Sequence, residues 1–162
     1  MESEETQEFS RFFEREYPRL VRACLLLCGE VSGGEDLAQE ALTRVYERWS
    51  EVASMDSPVG YLYRTALNLN RKRLRYLAVR GRRSLVEHSS PDPLAVAEDR
   101  MEALRAVASL SRPQREALVL VDWLGFDAEE AGRVLGIEAV SVRARLHRAR
   151  TALRKRFGGA DA

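Results

Sequence analysis

Apolar side chains recur along most of this chain at intervals of three and four, and no stretch alternates every second residue. Every predicted element is therefore a helix. Phe9, Phe12, Phe13 and Tyr17 open the pattern, Pro18 marks a restart, and Leu20, Val21, Cys24, Leu25 and Cys28 carry it on to Gly29. Ser32 and Glu35 have the spacing of a capping box for a helix over about 33–50. Leu37, Ala38, Ala41, Leu42, Val45, Tyr46 and Trp49 form its apolar face, with Asp36, Gln39, Glu40, Thr43 and Glu47 opposite. By periodicity alone that polar side is an ordinary solvated face. Residues 51–57 lack a helical pattern, and Ser57 and Pro58 then supply the N-cap and first residue of a helix that turns strongly basic toward residue 83.

Residues 84–95, SLVEHSSPDPLA, have the serines and prolines of a linker, with His88 as an exposed loop residue. A helix over 96–110 points Met101, Leu104 and Val107 inward, and Ser111 and Pro113 start another that Gly125 ends. Asp127 caps the next, with Glu130 completing a capping box, and Gly136 suits the left-handed backbone that terminates it. The last helix, over about 139–157, puts Val142, Leu146, Ala149 and Leu153 on one stripe, and 158–162 form a frayed tail. The expected fold is all-α: two small helical domains, 1–83 and 96–162, joined by a flexible linker at 84–95. The C-terminal domain is a helix–turn–helix.

Charge sharpens this picture once it is divided along the chain. The net charge is +1, yet residues 57–83 hold 8 basic and no acidic side chains, and 139–157 hold 7 basic and none acidic. Two such blocks, set between acidic stretches, suit two polyanion contacts. The second helix of a helix–turn–helix lies in the DNA major groove, and arginine can pair bidentately with guanine there. A solvated charged helix is the plain alternative, but the capped first helix, the glycine turn and the one-sided stripe favour DNA binding. In the first basic block, Tyr61, Thr65, Asn68, Arg71 and Arg75 fall along one side. Rings that stack on bases and cations that hold phosphates suit a single strand. An amphipathic helix with core tyrosines explains the same pattern equally well.

Other chemistry finds little support. The acidic N-terminus, MESEETQEF, is no signal peptide, and the longest apolar run, 23–28, is too short to span a bilayer, so a cytoplasmic protein without membrane insertion is expected. Cys24 and Cys28, one turn apart on a buried face, read as core rather than as a metal or redox pair. There is no glycine-rich phosphate loop, no metal-spaced His/Cys set, and only His88 and His147 as imidazoles. No catalytic residue, metal or cofactor is expected.

Three segments in fixed order carry a family resemblance: EDLAQEAL (35–42), YLYRTALNLNRKRLR (61–75), and the stretch from LSRPQREAL to VSVRARLHRAR (110–150). Together they resemble an extracytoplasmic-function sigma factor of actinobacterial type, a small two-domain promoter-recognition subunit of bacterial RNA polymerase. The resemblance covers roughly residues 9–157. It implies that Asp36, Gln39 and Glu40 dock on the clamp helices of the polymerase's largest subunit. The loop 51–57 and the helix after it would melt the minus-ten promoter region and capture a flipped base, with Asn68 presenting an amide, Tyr61 and Arg64 nearby, and Arg71, Arg75 and the arginines up to Arg83 holding phosphates.

The resemblance further implies that Ser141, Arg143, Ala144, Arg145 and Arg148 read the minus-thirty-five element. The C-terminal domain would meet the polymerase flap region, and the linker would thread toward the RNA exit path. Tyr61 stands where the family usually has Trp, Val140 where it often has Gly, and Phe126-Asp127 where Leu-Ser is usual; the loop 51–57 lacks aromatics, so no base preference carries over. The implied partners are core RNA polymerase, promoter DNA, and an anti-sigma factor of the kind that commonly clamps both domains. The protein would be nucleoid-associated when active. The alternative is a stand-alone helix–turn–helix transcriptional regulator with an unrelated helical N-terminal domain, separable because a sigma factor needs core polymerase to bind promoters strongly.

Overall fold

The computed structural model describes residues 2–80 and 96–158, and all regular structure among them is helical. The N-terminal half is built from α1 (Glu2–Cys28), α2 (Val31–Glu47), the single turn α3 (Trp49–Val52) and α4 (Pro58–Val79). The C-terminal half comprises α5 (Val96–Ala108), α6 (Arg112–Leu118), which continues as a π-helical turn over Val119–Trp123, then α7 (Ala128–Leu135) and α8 (Ala139–Gly158). The linker 84–95 with His88, the arginines Arg82 and Arg83, and the tail from residue 159 onward lie outside the described residues.

The N-terminal half is a bundle of α1, α2 and α4. α1 and α2 cross so closely that a Cβ on Gly34 would come within 2.8 Å of the Leu25 backbone nitrogen. α2 buries Leu37, Ala38, Ala41, Leu42 and Val45, as its periodicity predicts, but Tyr46, expected on the same face, is exposed beside Phe9. Trp49 of α3 closes the bundle end, its ring 5.3 Å from Phe9 and 5.0 Å from Phe12. Cys24 and Cys28 are buried in this core as free thiols. Burial pushes both thiols up, Cys28 to about 11.

Three local expectations in the N-terminal half are corrected. Pro18 does not interrupt α1, which runs through it. A proline nitrogen releases only the carbonyl four residues back, and Glu14 is exposed, so water can satisfy that group. The Ser32–Glu35 capping box does not form: α2 starts at Val31 with Glu30 as its N-cap, and Gly34 N–H instead donates to the Glu30 carbonyl at 3.1 Å. The 51–57 connection begins with the last residues of α3. Ser57 does cap α4, its Oγ accepting from Gly60 N–H at 2.9 Å with Pro58 in the first turn.

In the C-terminal half, Ser111 and Gln114 form a reciprocal capping box at α6, and Gly125 ends the π turn at φ +79°. α5 turns its most buried residue, Ala106, inward, while Met101, Leu104 and Val107 are half-buried. Asp127 caps α7 by accepting from Glu130 N–H at 2.8 Å, and that bond holds its carboxyl below the usual range. The Glu130 side chain does not complete a box. It shares a hydrogen bond with the Asp127 carboxyl and is pushed up. Gly136 ends α7 in the left-handed conformation, φ +71° and ψ 33°, where a Cβ would be strained. α8 follows with Val142, Leu146 and Ala149 buried and Leu153 half-buried, as its stripe predicts.

The two halves share one continuous core, which joins Leu20, Leu27, Leu62, Tyr63 and Ala66 to Leu120, Leu124, Ala131, Val134 and Val142. The Tyr63 and Phe126 rings meet edge to face at 5.8 Å. Arg115 of α6 donates to the carbonyls of Leu27, Ala108 and Leu110, each at 3.0 Å, tying the ends of α1 and α5 together. Arg19 of α1 donates to the Leu124 carbonyl at 2.9 Å.

Candidate nucleic-acid interface

The exposed face of α2 presents Asp36, Gln39 and Glu40 to solvent. Their periodicity follows from α2 burying the opposite face. Glu40 pairs with Arg44 one turn on, at 3.2 Å. Beside Gln39, the aromatic rings of Phe9, Phe13 and Tyr46 open a shallow groove of about 380 Å³ toward α1.

A second, more polar groove of about 550 Å³ lies between the end of α2 and α4. It brings together Tyr61, Thr65, Asn68 and Arg75, which the sequence places along one side of the helix, with Arg64, which the family resemblance puts nearby, and adds Arg44, Arg48 and Lys72. Among the described residues, the only acid on its walls is Glu47. Asn68, Arg64 and Arg75 are exposed, while Tyr61 is half-buried against the core. Arg48, at the α2–α3 junction, donates to the Tyr61 hydroxyl at 3.0 Å, with its guanidinium carbon 5.8 Å from the ring centroid. Its other nitrogen pairs with Glu51 at 2.5 Å. That pairing and the Tyr61 contact raise the guanidinium pKa, with Glu51 the larger cause. No sequence period joins Arg48 to Tyr61, so only the folded chain reveals it as a groove residue.

Arg71 lies elsewhere. It leaves the groove and grips Glu116 of α6 through Nε and Nη2, both at 2.9 Å. Glu116 is fully buried and also accepts from Arg112 at 2.7 Å. Asn70, between these positions, faces inward instead: its amide donates to the Leu27 carbonyl at 3.4 Å and accepts from the Cys28 thiol at 3.5 Å.

The third surface is the outer side of α8. Arg143, Ala144 and Arg148 are exposed, and Ser141 and Arg145 are half-buried at its start. Arg143 pairs with Glu129 of α7 at 2.6 Å, which braces the two helices of the helix–turn–helix. Arg145 and Arg148 have no carboxylate partner among the described residues. Further along, His147, Arg148, Thr151 and Lys155 border a shallow groove of about 280 Å³. Arg150 is occupied by Asp122 in a two-pronged pair at 3.0 and 2.6 Å.

The α4 groove and the outer side of α8 expose guanidinium, ammonium and amide groups, the donors that suit phosphates and base edges, whereas the α2 face is acidic. Among the described residues no cluster of His, Cys, Asp and Glu could hold a metal ion, and no helix is long and apolar enough to cross a membrane.

Comparison with known proteins agrees with this geometry. Residues 12–80 match the family described as Sigma-70 region 2, and residues 100–153 match Sigma-70, region 4. The chain is 30% identical over 159 residues to the RNA polymerase sigma-E factor of Streptomyces avermitilis, covering 97% of this chain and 89% of that one. It is also 30% identical over 142 residues to the ECF RNA polymerase sigma factor SigL of Mycobacterium tuberculosis, covering 83% and 80%. Among solved structures it resembles the sigma factor RpoE from Bartonella quintana, in complex with the anti-sigma factor NepR, at a TM-score of 0.80 and 23% identity over 92% of this chain and 96% of that one. CnrH, in complex with the cytosolic domain of CnrY, gives a TM-score of 0.71 at 20% identity over 97% and 91%. In place of the stand-alone regulator, the chain belongs to the extracytoplasmic-function sigma factors, the non-catalytic subunits through which bacterial RNA polymerase initiates transcription at promoters.

Proposed function

We propose that this sigma factor divides its work between two units, 1–83 and 96–162. The first docks on the clamp helices of the largest polymerase subunit through Asp36, Gln39 and Glu40 and opens the minus-ten region. The second reads the minus-thirty-five element and meets the flap region. The observation that carries the reading is the groove between α2 and α4, where Asn68 and Tyr61 sit among Arg44, Arg48, Arg64, Lys72 and Arg75 with only Glu47 opposed. A base flipped out of its stack costs a few kcal/mol. An amide for its edge, a ring for its face and cations for the flanking phosphates offset that cost.

For the second element, α8 enters the major groove with Ser141, Arg143, Ala144, Arg145 and Arg148 toward the bases. The unpaired Arg145 and Arg148 are the more available forks, because Arg143 is already held by Glu129. The similarity to the sigma factor RpoE of Bartonella quintana, solved with the anti-sigma factor NepR, supports an anti-sigma factor as a third partner, after polymerase and promoter DNA. Arg44→Ala and Lys72→Ala together test the strand groove. Permanganate footprinting of promoter complexes formed by the reconstituted holoenzyme should reveal fewer reactive thymines, at unchanged affinity for core polymerase. Full opening by the double variant would remove the groove from the reading.

A further inference from the structure

α4 carries five cations, yet only two have acidic partners: Arg73 with Glu30 inside the N-terminal half, and Arg71 with Glu116 from the other half. Arg64, Lys72 and Arg75 have none among the described residues. Arg71 is one turn from both Asn68 and Arg75 on α4, so its backbone position borders the strand groove although its side chain turns away to Glu116. Its Nε and Nη2 meet the two Glu116 oxygens at 2.9 Å each, the fork geometry that a guanidinium offers equally to a carboxylate or a phosphate. Glu116 is fully buried, whereas Arg71 keeps 29% of its side chain exposed. The acid is thus delivered from the protein interior, and Arg71 is the partly exposed member of the pair.

We propose that Glu116 is an internal stand-in for a strand phosphate at Arg71, so that closure of the two halves and strand binding by α4 compete for one guanidinium. This rests on the strand-groove reading above. A phosphate that takes the fork leaves Glu116 with Arg112 alone, on its own helix. A buried acid that loses one of two cations weakens the packed state. The contacts nearest the latch then loosen, among them the bond from Arg115 to the Leu27 carbonyl. Strand engagement thereby favours separation of the halves, and closure keeps the groove one phosphate contact short.

The test uses the full chain and its Glu116→Gln variant with a mixed-sequence 12-nucleotide single-stranded DNA. Strand affinity is read by fluorescence anisotropy, overall size by small-angle X-ray scattering, and local opening by amide hydrogen exchange over 19–29 and 112–126. E116Q should bind the strand roughly tenfold more tightly, since Arg71 is freed, and exchange faster across both segments. Unchanged affinity overturns the proposal even if the variant is more open, because Glu116 would then serve packing alone. Should E116Q lose helicity, the wild-type chain decides: added strand must speed exchange over 112–126, and no change overturns the latch. Arg75→Ala separates the two readings. Weaker strand binding by R75A beside an unaltered E116Q sinks the latch only, whereas no effect of R75A sinks the groove assignment.

Discussion

Asn68 is exposed in the groove with no hydrogen-bond partner among the described residues, while its neighbour Asn70 spends its amide on the Leu27 carbonyl inside the core. Two residues on one helix thus have opposite uses, and substitutions should separate them. Asn68→Ala is expected to impair promoter opening at unchanged core-polymerase affinity, measured by permanganate reactivity and competition binding. Loss of both would mean a folding defect and no role in opening. Arg148→Ala is expected to cost about 1–3 kcal/mol of promoter use if a base contact is lost. A minus-thirty-five preference identical to wild type would remove that contact. The buried thiols give a prediction of another kind. Burial raises Cys28 from the ordinary 9.0 to about 11, so the folded protein favours the protonated thiol. Its stabilising share is complete below about pH 9 and is lost as pH rises toward about 11. Native protein near neutral pH should accordingly react slowly with a disulfide reagent and urea-unfolded protein quickly. Fast native reaction would contradict the burial.

At the scale of elements, the α1–α2 crossing depends on a missing side chain. A Cβ on Gly34 would lie 2.7 Å from Leu25 Cδ2 and 2.8 Å from its backbone nitrogen, and the backbone cannot yield as a flexible side chain would. Gly34→Ala should cost about 1–3 kcal/mol of overpacking in urea denaturation; a variant as stable as wild type would mean that the helices can separate freely. The helices themselves were legible because each rests on local signals. Apolar spacing set the faces of α2 and α8, Ser57 and Asp127 set caps, and Gly136 set a left-handed end. Local signals also misled. Ser32 and Glu35 have capping-box spacing, but α2 starts at Val31 with Glu30 as its N-cap, which puts both residues inside the helix. Pro18 has the signature of a break, yet the carbonyl it releases is at the surface.

At the scale of the whole molecule, sequence periodicity could not foresee that the two halves share one core. The bonds that join them span 45 residues from Arg71 to Glu116, 88 from Leu27 to Arg115 and 105 from Arg19 to Leu124. No helical period reaches so far. For the same reason the exposed members of the strand groove were legible from α4 alone, whereas Arg44 and Arg48 and the diversion of Arg71 were not. As a sigma factor, the chain should give core polymerase a promoter preference that neither has alone. Run-off transcription with purified protein, bacterial core polymerase and fragmented genomic DNA from the source organism tests it most directly. Discrete transcripts that vanish when the protein is left out, with two recurring upstream elements, are expected. No such transcripts, together with tight duplex binding by the protein alone, would contradict it.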